Sequence, residues 1–140
     1  MVGTMGDVTF ADAIVKEIPG FDVDVAYEAI RKDAFESQPV GVSDVGRACL
    51  NLYTELGYVP SYACSEAVSR TLNYLQSDWA IARAAEKLGK TDDAIALDAR
   101  TAKYDMLFEN STLFFRGRNN VTLRFSADFD QFAWGGDYTE

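Results

Sequence analysis

The side chains best suited to chemistry cluster in one short run, "FDQFAWGGDYTE", which spans residues 129–140. Asp130, Asp137 and Glu140 supply carboxylates, Trp134 and Tyr138 offer flat apolar faces with polar edges, and Gly135-Gly136 permits positive φ and close approach of the backbone. Such a mixture suits a polyhydroxylated ligand. It equally suits an aromatic loop that plugs the end of a helical layer, and composition leaves both readings open.

The rest of the composition narrows the chemistry. The chain contains no histidine, so a Ser-His-Asp triad, a Cys-His pair and an H-E-x-x-H zinc site cannot be built from these residues. Acid–base work must run on carboxylates or on groups supplied from elsewhere. With 22 acidic against 13 basic side chains the net charge is -9, which would repel nucleic-acid phosphates and anionic membranes, so neither is expected as a partner. No apolar run approaches the roughly 20 residues of a bilayer span, and no basic region followed by an apolar stretch marks an export signal near the N-terminus.

Cys49 and Cys64 show neither C-x-x-C spacing nor a disulfide framework and are expected to be small buried side chains, with no metal ligand assigned. Two sequons, at Asn110 and Asn120, would have meaning only in a secretory pathway. Gly89-Lys90-Thr91 matches the end of a P-loop, but Ala84 replaces its first glycine and the run follows a helix rather than a strand. Asp128 and Asp130 begin like a calcium loop, which then fails at Phe132 and Ala133.

The positioning elements read as helices. Apolar residues at helical spacing run through Val8, Ala11, Ile14, Val15 and Ile18 until Pro19-Gly20. Asp22 is placed as N-cap for a second helix carrying Val23, Ala26, Tyr27, Ile30 and Ala34 inward, with Glu28 and Lys32 paired outside. A third is expected from Asp44 to a left-handed C-cap at Gly57, and a fourth from about Glu66 to Leu88, apolar on two faces and including Trp79. Thr91 is expected to cap a fifth helix that runs on through Tyr104, Leu107 and Phe108. Beyond Asn110 the pattern reads as irregular chain or a small hairpin. The fold class is therefore all-α, antiparallel helical hairpins; no compositional step marks a second domain.

Four blocks in order, "FADAIVKEIPGFDVDVAYEAIRKDAF", "LGYVP", "SEAVSRTLNYLQSDWAIARAAEKLGK" and "FAWGGDYTE", resemble the catalytic domain of glycoside hydrolase family 92, the calcium-dependent exo-α-mannosidases. The resemblance implies that residues 1–140 are a partial helical catalytic domain, part of an (α/α)6 toroid, with a β-sandwich domain and the remaining helices outside them. It implies an inverting hydrolase that removes terminal α-linked mannose from glycans, secreted or periplasmic, with Ca2+ held by ligands beyond these residues. Glu140, in the T-E of W-G-G-x-Y-T-E, falls on the general acid; Trp134, Gly135, Gly136 and Tyr138 fall on the substrate-binding approach. A carboxyl in the acid's role must keep its proton near neutral pH, which neighbouring apolar rings favour.

The chain departs from the family pattern in two places. Val2-Gly3-Thr4-Met5 stands where V-G-[ND]-H is usual, and Asn73 and Ser77 replace acids of T-L-E-Y-A-Y-D-D-W. These changes imply altered specificity or impaired catalysis. The competing expectation is a non-enzymatic helical interaction module, close in composition to a tetratricopeptide helix pair but without its 34-residue period. Under either reading a piece of a toroid would leave apolar helix faces uncovered and prone to association, and this piece alone is expected to be inactive.

Overall fold

The structure, a computed structural model, describes residues 3–39, 45–127, 129–132 and 135–138. Five α-helices follow in order: α1 (Gly6–Val15), α2 (Val23–Phe35), α3 (Leu50–Leu56), α4 (Ala67–Lys87) and α5 (Thr91–Thr101). A 3-10 turn, Tyr104–Leu107, leads into β1 (Phe108–Glu109) and β2 (Phe114–Phe115), an antiparallel pair in which Phe108 faces Phe115. None of the described helices is long and apolar enough to cross a membrane.

Helix α4 is the axis of the molecule, packed against α1, α2 and α5. Its run of Ala80, Ala82, Ala84 and Ala85 lets neighbouring helices approach closely, and these residues join Ile14, Tyr27, Ile30 and Leu97 in the main core. A second core gathers Leu50, Tyr53, Val59, Tyr74 and Leu75, so α4 is buried on two sides, as its two apolar stripes require. Trp79 is the exception. It lies 55% exposed, in a groove of about 370 Å³ between α1 and α4, with the Arg83 guanidinium 5.9 Å from its ring.

Several local signals act as expected. The Asp22 carboxylate accepts the Val25 N–H at 3.1 Å, and α2 buries Ala26, Tyr27, Ile30 and Ala34. Gly57 and Gly89 end their helices at φ of 85° and 71°, a left-handed backbone that glycine adopts without steric cost.

Others are corrected. The third helix begins at Leu50 rather than Asp44, because Gly46 and Cys49 both turn into the left-handed region. Cys49 and Cys64 form a disulfide and are not free buried thiols. Thr91 is the first helical residue, and Lys90 precedes it with no side-chain cap. Among the described residues the ion pair of α2 is made by Arg31, rather than Lys32, to Asp93 on α5 at 2.8 Å. Helix α5 stops at Thr101, and Tyr104 is exposed on the turn that follows.

Candidate functional site

The hairpin and the C-terminal run fold back over the N-terminal end of α4. A helix leaves its first N–H groups without partners, and Glu66 before α4 adopts left-handed backbone with no side-chain cap. The missing acceptors come from far along the chain. The Glu66 N–H donates to the Gly136 carbonyl at 2.7 Å and the Val68 N–H to the Asp137 carbonyl at 2.9 Å. Gly135 and Gly136, at φ of 90° and 68°, make the turn that aims these carbonyls at the helix.

Side chains fasten the same segment. Ser61 donates through Oγ to Asp137 at 2.8 Å, while its N–H donates to the Arg118 carbonyl at 2.8 Å. Gly117 lies under this pair, where a Cβ would stand 1.9 Å from Asp137 Oδ2 and 2.1 Å from Ser61 Oγ. Glycine is required there by close approach, not by backbone conformation. Arg116, buried beneath the run, pairs with Glu109, donates to the Ser126 carbonyl and faces the Phe129 ring at 4.5 Å. Arg118 spans Met106 and Leu123 through their carbonyls.

These contacts enclose a cleft of about 520 Å³. Its lining includes Tyr62, Ser65, Ser126, Asp130, Gly136 and Asp137, with Gly135, Tyr138 and the disulfide sulfur side chain of Cys64 completing the wall. Of the residues singled out from the sequence, Gly135, Gly136 and Tyr138 meet in this one cleft; Trp134 and Glu140 lie outside the described residues. Tyr138 is more than a cleft wall. Its ring packs against Tyr58, Val68 and Leu107, and its hydroxyl donates to the Phe115 carbonyl at 2.8 Å. That burial, followed by the Asp137 charge, raises its pKa above the ordinary tyrosine value.

Sequence reasoning missed Tyr62, Ser65 and Ser126 as cleft residues. Residue 62 carried only a weak signal, an aromatic between Pro60 and Cys64, because its partners lie more than 60 residues downstream.

A buried ionic cluster stands behind the helices. Arg47, fully buried, reaches Asp78 at 2.5 Å and Asp7 at 3.0 Å, with its Nε on the Thr4 hydroxyl at 3.2 Å. Tyr53 donates to the other Asp78 oxygen at 2.9 Å, and Arg100 stands 3.6 Å from it. Burial, the largest influence, pushes the Asp7 carboxyl up to about 6, against the lowering effect of Thr4 and Arg47. Thr4, one of the departures from the family pattern, thus holds both members of the Asp7–Arg47 pair. Gly3 beside it packs against Asn73, another departure, with a would-be Cβ 3.2 Å from the Asn73 Cβ. Ser77, a further departure, is buried with its hydroxyl lacking a hydrogen-bond partner among the described residues.

Among the described residues no three acidic or thiol side chains converge to hold a metal ion. The described residues do not by themselves make a calcium site.

Comparison with known proteins places this architecture. The chain aligns over its whole length with the family GH92 alpha-mannosidase BT3965 from Bacteroides thetaiotaomicron, at 41% identity and a TM-score of 0.86. It aligns equally with the inverting mannosidase BT2199 from Bacteroides thetaiotaomicron VPI-5482, at 33% identity and a TM-score of 0.89. It covers 18% and 19% of those two chains. An uncharacterized secreted glycosidase of Arthroderma benhamiae is 32% identical over 133 residues, which are 88% of this chain and 17% of that protein. The model of the glycosyl hydrolase family 92 catalytic domain matches residues 1–140, and on that match, together with the shared fold, the chain belongs to glycosyl hydrolase family 92.

Proposed function

We propose that these residues are the helical segment of a catalytic domain that releases terminal α-linked mannose from glycans with inversion at the anomeric carbon. The observation that carries the reading is the family match over the whole chain, joined to a cleft at the C-terminal run whose glycines and tyrosine belong to the W-G-G-x-Y-T-E motif. The alignment with an inverting mannosidase supports the stereochemistry, and a mannoimidazole complex of BT3965, 38% identical to this chain, supports a mannose-type ligand.

In this reading Glu140 is the general acid. It protonates the departing glycosidic oxygen while a carboxylate base roughly 6.5–9.5 Å away activates water on the opposite face of the sugar. The base comes from outside these residues, as do the ligands of the calcium that the family resemblance implies. Binding and orientation are the work of this chain: the Gly135-Gly136 turn of the same motif is clamped to the start of α4. The disulfide and the secreted fungal relative both favour an oxidising, extracytoplasmic site of action.

The test is made in a polypeptide of family length carrying these residues. Glu140→Gln is expected to lower turnover of an unactivated α-mannoside by about 10²- to 10⁴-fold with the fold intact, and a chelator to abolish it. Turnover within twofold of wild type in the variant removes Glu140 from the mechanism. Insensitivity to the chelator removes calcium.

A further inference from the structure

We propose that Tyr62 is a specificity-determining residue at the rim of the cleft, where its ring stacks on the sugar unit that carries the departing oxygen. The inference rests on the mannosidase reading. It starts from an outlier: Tyr62 has a φ of 70°, a left-handed backbone that a bulky aromatic residue rarely adopts, yet its side chain is 75% exposed. Burial therefore does not offset the strain. The conformation is imposed from both sides by neighbours that are firmly held.

On one side, Ser61 is buried, bridged to Asn119 and bonded through Oγ to Asp137. On the other, the Ala63 N–H closes a turn onto the Pro60 carbonyl at 3.3 Å, and Cys64 is tied to Cys49. Strained residues that the surroundings over-determine concentrate at ligand sites. Here the result is a ring presented to the cleft that the Gly135-Gly136 turn also lines, its hydroxyl 3.3 Å from Ser126 Oγ.

The chemistry of the ligand follows from that presentation. An open tyrosine ring offers an electron-rich face to the electropositive C–H surface of a pyranose, while Ser126, Ser65 and Asp130 add polar groups for its hydroxyls. An enzyme that removes terminal units encloses the terminal sugar and leaves the rim to the rest of the glycan. Tyr62, exposed at the rim, is placed for the second sugar.

Two substrates separate the possibilities in the family-length polypeptide: α-linked mannobiose, which has a second sugar, and α-mannosyl fluoride, which has none. Tyr62→Ala is expected to lower kcat/KM on mannobiose roughly tenfold, the size of one aromatic contact, and to leave the fluoride within about twofold. Tyr62→Phe, which keeps the ring, is expected to retain most activity on both. An unchanged kcat/KM on mannobiose in Tyr62→Ala, or an equal fall on both substrates, overturns the assignment while the mannosidase reading stands. A wild-type protein inactive on both removes that reading and this inference with it.

Discussion

Arg47 carries two carboxylates in a space from which water is excluded, and Asp7 and Asp78 compete for the same guanidinium. Burial raises the Asp7 carboxyl to about 6 from an ordinary 3.8, against the lowering effect of Thr4 and Arg47. The folded chain therefore binds this proton more tightly than the unfolded chain does. The stability that follows is fully present below about pH 4 and is lost as pH rises through about 6, a change on the order of 3 kcal/mol. Because other carboxylates also titrate, the readout is a difference: the stability of wild type relative to Asp7→Asn, from urea denaturation, should fall between pH 4 and pH 6.5. A constant difference means that Asp7 keeps an ordinary pKa. None of this was legible in the sequence, since Arg47 meets partners 40 and 31 residues away and nothing in its own neighbourhood marks it as buried.

At the scale of elements, what the sequence revealed was local. Asp22 and Gly57 announce a helix start and stop through bonds made within four residues, and both behave as read. The third helix is shorter than its periodicity predicts because its boundary is set from a distance: Cys49 turns left-handed where it is tied to Cys64, 15 residues on. That spacing has no signature, and only the folded chain brings the two sulfurs together. The bridge joins the start of α3 to the loop before α4, on the wall of the cleft. Closing a loop of this length contributes about 3 kcal/mol by restricting the unfolded chain. Replacing both cysteines with serine should lower unfolding free energy by about that amount, measured by denaturant titration. Added reductant should then have no further effect on the variant.

For the whole molecule, helical periodicity identified five helices but not which apolar faces would find cover. Trp79 belongs to the α4 stripe by spacing, yet in the folded chain it remains exposed beside Val8 and Val15 of α1. Ala11 and Ile14 on the same helix are buried, so the helix is amphipathic in a wider sense than its packing uses. This strip predicts self-association of the 140-residue chain. Sedimentation velocity should show the self-association weakened roughly tenfold by Trp79→Ser, about the worth of one partly buried indole. An unaltered distribution of species would place the contact elsewhere.

The carbonyls of Gly136 and Asp137 that complete the first turn of α4 also impose an order of assembly. The longest helix begins long before its cap has been synthesised, so its first turn stays frayed while the core around Ala80–Ala85 is already able to form. In N-to-C synthesis the cleft is therefore the last part of these residues to receive its partners, and the cysteine pair on its wall lies beside that seam.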